Sequence, residues 1–313
     1  MMWEDEQALS PPGNYLEAAA PLVAVAIPSY NEARFIGSVV IKALRHAELV
    51  LVVDDGSPDQ TSSVATAAGA LVIRHAANKG KAAGINTAFQ WAAELGVAVL
   101  VLIDGDGQHD PDEIPALVAP VLRGEADMVI GTRFGAVHSS IPRYRRVGQR
   151  ALTTITNLGS GLPVSDSQSG FRAFSRCALQ QMRFQSRRFA VESEMQFVAE
   201  SQGLRVTEVP ITTDYTEPAK RNPVRHGAAV VQSLVKMLER RRPLLAFGFL
   251  GVMLILVGVL LGLHVTSIYI THHMLAVGYS LMTVILVIVG IVTTFVGIIL
   301  HSLRTLLEDI RGG

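Results

Sequence analysis

The sequence predicts an α/β domain on a mostly parallel sheet, followed by two apolar helices long enough to cross a membrane. Three observations carry this. Short apolar, β-rich runs alternate with helical patterns from Leu22 to Ile130, as expected of strands covered by helices on both faces. Three of those runs end in polar clusters. Near the C-terminus, Leu244 to Leu263 and Met274 to Leu300 contain no charged side chain, in a chain that is 49% hydrophobic.

Met1 to Ala20, with Pro-Pro-Gly at 11–13 and no lasting periodicity, is expected to be a flexible arm, and the α/β domain to span 21–222. Leu22 to Ile27 reads as the first strand and Phe35 to His46 as a helix. Leu49 to Val53 is a second strand, and Ser-Pro-Asp at 57–59 a helix start. Leu71 to Ile73, Val97 to Ile103 and Met128 to Ile130 read as further strands. An Ala-rich helix runs from Ala82 to Leu95, and another opens at Pro111. Past Gly131 the alternation becomes irregular. A basic stretch (Arg143, Arg145, Arg146, Arg150) precedes Asp166-Ser-Gln-Ser-Gly-Phe-Arg172, an acidic helix near Glu192 and a last strand from Arg205 to Ile211.

The two charge-free runs, about 20 and about 27 residues long, are each sufficient to cross a hydrocarbon core as a helix. They are expected to form a transmembrane pair within 244–301. Ahead of them, Ala228, Val231, Leu234, Val235 and Leu238 form one apolar stripe, so 223–243 is expected to be an amphipathic helix at the membrane interface. The zero net charge hides an asymmetry: from Pro223 onward seven basic residues face three acidic ones, net +4, leaving −4 on the first 222 residues. Arg240 to Arg242 precede the first span and Arg304 follows the second, whereas His264 to His273 holds no Lys or Arg. Both ends, including the tail 302–313, are therefore expected in the cytoplasm, together with the α/β domain. Met1 to Ser10 is polar and acidic, so no signal peptide is expected. A single cysteine, Cys177, excludes an internal disulfide and a Cys-rich metal site. The expected partners are small molecules and the bilayer, with no nucleic acid; a homo-oligomer stays open.

In parallel α/β sheets ligands bind beyond the carboxyl ends of the strands. There the first strand leads into Pro28-Ser-Tyr-Asn-Glu32, the second into Asp54-Asp-Gly-Ser-Pro58 and the fourth into Asp104-Gly-Asp-Gly-Gln108. An Asp-rich turn alone is often only a turn; three at strand ends are a pattern. Asp104 and Asp106, with Gly105 between them, can both approach a cation and a diphosphate, and Gln108 adds a neutral oxygen. Mg²⁺ and Mn²⁺ favour such oxygen sets, commonly shared with substrate phosphates.

These clusters, with Gly131-Thr-Arg133, Ser169-Gly-Phe-Arg172 and Glu208-Val-Pro-Ile211, resemble family 2 glycosyltransferases of the dolichyl-phosphate-mannose synthase type. The similarity covers roughly Pro21 to Ile211, and the apolar helix pair is like that of the polyprenyl-phosphate glucosyltransferase branch. The resemblance implies a GT-A fold and transfer of a hexose from a nucleotide-sugar to a polyprenyl (dolichyl-type) phosphate. Carried over by position, Pro28, Tyr30, Glu32, Val53, Asp55, Asp104, Gly105 and Asp106 would hold the nucleotide-sugar. Asp104, Asp106 and Gln108 would hold Mg²⁺ or Mn²⁺, and Arg133, Arg145 and Gln149 the acceptor phosphate. Arg133 and Arg145 join Asp104 and Asp106 as the expected catalytic set. A phosphate monoester has a second pKa near 6, so the acceptor needs no strong base. Arginine forks suit its oxygens. Arg143 to Arg150 also suit anionic lipid headgroups. The chain departs from the family after the Val-Pro strand, where the basic residues that meet the donor phosphates are spaced differently; Lys220, with Arg221 and Arg225, is the expected substitute and joins the nucleotide-sugar set. GDP-mannose, UDP-glucose and UDP-N-acetylglucosamine all stay open as donors.

Lesser candidates have plain structural readings. Asn78-Lys-Gly-Lys81 can touch phosphates at a helix start or form a solvated loop. Glu192 and Glu194 suit a helix dipole; Ser169 to Arg172 would shape the acceptor pocket; His109 and Trp91 are expected to be structural. A processive polysaccharide synthase would need a Gln-x-x-Arg-Trp motif and more spans, yet Trp3 and Trp91 are the sole tryptophans and neither lies in that context. A non-catalytic scaffold would be expected to lose Asp104, Asp106 and Gln108 first.

Overall fold

A computed structural model describes residues 22–134, 143–184, 191–213, 243–274 and 276–312. The expected arm at 1–20, Lys220 and the amphipathic segment up to 242 lie outside the described residues, as does the side chain of Arg145. The chain divides into two units, Met1–Ser233 and Leu234–Gly313.

The first unit alternates strands and helices: β1 (Val23–Ser29), α1 (Ile36–Ala43), β2 (Leu49–Asp54), α2 (Thr61–Ala67), β3 (Leu71–Arg74), α3 (Lys81–Leu95) and β4 (Val99–Leu102). A 3-10 turn (Pro111–Glu113) leads into α4 (Ile114–Leu122), followed by β5 (Met128–Thr132), α5 (Arg143–Ser160), β6 (Arg172–Ser175), α6 (Arg176–Gln181), α7 (Val191–Ser201) and β7 (Val206–Pro210). Among the described residues the sheet has seven strands in the order β3-β2-β1-β4-β6-β5-β7. β1 pairs in parallel with β2 and β4, β2 with β3, and β5 with β7, whereas β6 is antiparallel to both β4 and β5.

The continuous apolar runs fit this arrangement because successive side chains enter opposite layers. Ala24, Ala26, Leu49, Leu51 and Val53 pack with Ile85, Phe89 and Val198 from α3 and α7. Val25, Ile27, Val50 and Val52 pack with Val39, Val40, Leu117 and Val121 from α1 and α4. Turn chemistry sets the helix starts. The Asp59 carboxylate accepts from Thr61 N at 3.0 Å before α2, and Asp110 accepts from Asp112 N at 3.3 Å before the 3-10 turn. Gly96, left-handed at φ 66°, ends α3.

Two elements are not apparent in the sequence. β6 opens on a fully buried arginine and spans four residues, so it lacks an apolar run. The buried positions of α5 include Thr153, Thr156 and Ser160, while Leu158 is exposed, so its apolar residues do not mark its buried face. β6 enters between β4 and β5, which would otherwise be expected to be neighbours. Its reversed direction brings the loop 165–171 to the carboxyl end of β4.

The second unit is two helices, α8 (Pro243–His272) and α9 (Val277–Gly312). They run beyond the expected spans: 264–272 is helical, the second helix begins at Val277, and the tail continues α9. Their apolar stretches, Ala246–Thr271 and Val277–Leu303, are only 17% and 11% buried, unlike core helices of a soluble protein, and could span a membrane. Glycines let the two backbones meet: a Cβ on Gly290 would lie 2.7 Å from Gly251 O and 2.9 Å from Ile255 N.

Candidate active site

The three polar clusters meet at the carboxyl ends of β1, β2 and β4, and much of their polarity ties one loop to another. Asn31 N donates to Ser57 Oγ at 2.9 Å, Glu32 N to Thr61 Oγ1 at 2.9 Å and Ala33 N to Asp59 Oδ2 at 3.1 Å. Asn31 adopts a left-handed φ of 64°, a sparsely populated conformation that such fastening can hold. Asp54, fully buried, accepts from Ser57 N and Ser62 Oγ. Asp55 Oδ1 accepts from Lys79 N at 2.9 Å and lies 2.7 Å from His75 Nδ1, while Oδ2 accepts from Gly80 N at 2.7 Å. Asp55 thus anchors the loop that starts α3. Val53 is buried and Tyr30 is 40% exposed.

Asp104 and Asp106 stand on the turn after β4. Gly105 fits closely there, since a Cβ would come 2.7 Å from Ser29 Oγ and crowd the Ile36 and Ile27 side chains. Asp104 Oδ1 lies 2.7 Å from Lys81 Nζ, which lies 2.7 Å from Glu192 Oε1. On its other side, a Cβ at Gly170 would fall 2.5 Å from Asp104 Oδ2, so the β6 approach loop closes against this carboxylate. A small cleft is lined by Pro28, Ile85, Leu102 and Met195 together with Lys81, Asp104, Gly170 and Glu192. Asp106 Oδ1 accepts from Gln108 N at 3.1 Å.

The charges are strongly coupled. Burial and then the Asp104 carboxylate push Asp106 up to about 6, with Glu32 adding to the rise. Burial also acts to raise Asp104, but Lys81, with His109 and Arg133, outweighs it and holds the carboxyl below its ordinary value. Burial opposes the Lys81 charge, yet Asp104 and then Glu192 keep its pKa above the usual range. Burial pushes His109 down to about 4, so it is neutral at pH 7, with its ring 5.4 Å from Phe171.

Among the described residues no three Asp, Glu, His or Cys side chains converge as a metal cage. The Asp104 and Asp106 carboxylates, with the Gln108 amide two residues on, could instead serve as a half-site. Two adjacent carboxylates, one of them raised by the other, fit a divalent cation whose remaining positions go to water and substrate phosphates.

Arg133 is buried and oriented by Asp166, with Nε to Oδ2 at 2.6 Å and a terminal nitrogen to Oδ1 at 2.8 Å. Glu208 holds the same loop by accepting from Ser165 N at 2.9 Å and Asp166 N at 3.2 Å. Arg172 does not face a ligand: fully buried, it donates to Ser169 O and Ser167 O, both at 2.9 Å, and so shapes the loop from behind. Ser167 Oγ lies 3.1 Å from Thr153 Oγ1, and Gln168 Nε2 donates to Ser193 Oγ at 2.7 Å, linking α5, this loop and α7. Gln149 is partly buried on α5, and Arg145 lies one turn earlier on that helix. The sequence reading underrates Lys81, Glu192, Asp166 and Gly170. Their spacing carries no signal until α3, α7 and the loop before β6 are placed.

Residues 24–183, about half of the chain, match the profile described as Glycosyl transferase family 2. The chain belongs to this family. A UDP-N-acetylglucosamine–dolichyl-phosphate N-acetylglucosaminyltransferase of Methanococcus voltae is 34% identical over 221 residues, covering 64% of this chain and 88% of the relative. Polyprenol monophosphomannose synthase of Mycolicibacterium smegmatis is 30% identical over 229 residues, covering 69% and 85%. The glycosyltransferase domain also resembles the crystal structure of Mycobacterium tuberculosis glucosyl-3-phosphoglycerate synthase in complex with Mn²⁺ and UDP-glucose. The TM-score is 0.57 at 23% identity, with 71% of this chain and 80% of that one covered. That likeness establishes the GT-A-like fold, a mostly parallel mixed sheet.

Proposed function

We propose that this glycosyltransferase moves a hexose from a nucleoside-diphosphate sugar to a polyprenyl phosphate, by direct attack of the lipid phosphate on the anomeric carbon with inversion. The carrying observation is that one chain combines the Asp104–Asp106 pair with two helices whose long charge-free runs could anchor it in a membrane that holds a lipid acceptor. The named relatives act in dolichyl- and polyprenyl-linked sugar transfer, in keeping with this reading. Asp104, Asp106 and Gln108 would hold Mg²⁺ or Mn²⁺, and a bound cation stabilises charge on the departing diphosphate. Pro28, Tyr30, Glu32, Val53 and Asp55 would form the nucleotide wall, with Lys220 reaching the donor phosphates. Arg133, oriented by Asp166, would meet the acceptor phosphate with Arg145 and Gln149.

The decisive experiment incubates the full chain in detergent with radiolabelled GDP- and UDP-sugars, a short polyprenyl phosphate and Mn²⁺ or Mg²⁺. Label extracted into organic solvent supports lipid-phosphate transfer; label retained as polymer would instead identify a processive synthase. For the acceptor site, Arg145→Ala should lower kcat/KM for polyprenyl phosphate about ten- to hundredfold, the effect of losing one charged hydrogen bond, with nucleotide-sugar binding nearly unchanged. A mere headgroup contact predicts normal acceptor kinetics in detergent.

We also propose that both helix ends face the cytoplasm, because Lys and Arg flank the pair and are absent from its turn. In a Cys177→Ser background, a membrane-impermeant thiol reagent added outside should label His273→Cys and spare Glu308→Cys. The opposite pattern reverses the topology.

A further inference from the structure

We propose that Lys81 is a built-in counter-cation of the metal half-site, neutralising Asp104 until a divalent cation and a nucleoside diphosphate arrive together. The inference rests on the preceding reading of Asp104 and Asp106 as the metal and diphosphate site. It concerns the order and interdependence of binding.

Three separate elements build the arrangement. Lys81 is the first residue of α3, Asp104 follows β4, and Glu192 lies in the first turn of α7. The loop before Lys81 is held in place, since Lys79 N and Gly80 N both donate to Asp55. Lys81 Nζ then bridges Asp104 Oδ1 and Glu192 Oε1 at 2.7 Å each. The other Asp104 oxygen is backed by Gly170, where even a methyl group would collide. A dication approaching Asp104 therefore meets an oxygen already neutralised by an ammonium group. Lys81 can pivot away while keeping Glu192 as its partner, because its four-carbon stem is flexible.

A diphosphate changes the balance. It offers oxygens to the cation and new negative charge to the displaced ammonium. Metal alone should bind weakly, nucleotide should strengthen it, and linkage requires metal to strengthen nucleotide binding by the same factor. Lys81 thereby disfavours a lone cation in the half-site and favours the cation–nucleotide pair.

The test measures Mn²⁺ binding to the full chain in detergent by the loss of the free-ion paramagnetic resonance signal, alone and with UDP or GDP. Lys81→Met should tighten Mn²⁺ binding without nucleotide about tenfold, within the ordinary range of coupling between sites. Binding with nucleotide should change little, so the coupling factor falls by about the same amount. Glu192→Gln should shift Mn²⁺ binding without nucleotide the other way, because Lys81 then has Asp104 as its remaining carboxylate of the two. Lys81→Arg keeps the charge and should keep the coupling. A purely structural lysine, or a distant background charge, would leave the coupling factor at its wild-type value in Lys81→Met. That result in a folded variant overturns the inference while sparing the metal site. Failure of the wild type to couple Mn²⁺ with either nucleotide overturns the metal-site reading as well.

Discussion

Asp106→Asn is expected to lower sugar transfer by roughly 10²–10³-fold, the scale of losing one preorganised electrostatic contact to a developing charge, while the domain stays folded. The side chain is only partly buried, and its observed hydrogen bond, from Gln108 N, can be accepted by an asparagine oxygen. What asparagine lacks is the negative charge for a cation at the diphosphate. The wild type should also show a characteristic pH dependence. Asp106 has a pKa of about 6 without metal. Above that value its carboxylate is open to metal; as the pH falls through it, a proton competes. Apparent Mn²⁺ affinity should then fall by up to about tenfold per pH unit, and Asp106→Asn should lose that slope. Initial rates between pH 5 and 8, with Mn²⁺ titrated at each pH, measure both effects. Wild-type turnover in the variant, or in excess EDTA, contradicts the metal assignment.

Asp166→Ala should destabilise the domain by about 3–5 kcal/mol, the usual cost of stranding one partner of a buried ion pair. Arg133 has 8% of its side chain exposed and Asp166 none, so water cannot readily replace the lost carboxylate. In a domain of this size the melting temperature in detergent should fall by roughly 10 °C. Asp166→Asn, which keeps one acceptor oxygen, should fall less. Burial acts to raise the Asp166 pKa, but hydrogen bonding and charge from Arg133 prevail and the net shift is downward. Its stabilising contribution is therefore fully present above the ordinary unfolded value near 3.9. It is lost as pH falls below that, through the lowered folded value. An unchanged melting point in Asp166→Ala would mean that the pair does not hold the 165–171 loop. Arg133→Ala also strands a buried charge, so Arg145→Ala isolates the acceptor contact more cleanly.

β1, β2 and β4 were legible because their strands are continuous apolar runs, and the polar residues that interrupt those runs fall at the sheet edge where ligands bind. The Asp104–Asp106 turn was legible for the same reason, since chemistry and chain reversal coincide there. β6 and α5 obscure their own signals. Arg172 is buried at the start of β6 by donating to backbone carbonyls, and α5 buries hydroxyls that find partners on Ser167 and Ser193. Periodicity reports apolar burial and is blind to buried polar groups that are hydrogen-bonded. The turn between α8 and α9 lies nine residues beyond its expected start at 264, because the uncharged polar residues near Thr266 and Ser267 remain helical. Thr266 Oγ1 donates to Gly262 O, satisfying its hydroxyl within the helix.

By itself the sequence determined the alternating α/β plan, the two charge-free apolar runs and the pair of aspartates offered to a cation. These depend on residues close together in the chain. Only the tertiary structure decided that Lys81 and Glu192 share Asp104, that Gly170 leaves room for its carboxylate, and that Asp166 orients Arg133. Those contacts join positions tens of residues apart, up to the 111 between Lys81 and Glu192. Local pattern cannot encode them, because they form only when α3, α7 and the loop before β6 come together at the ends of β4 and β5.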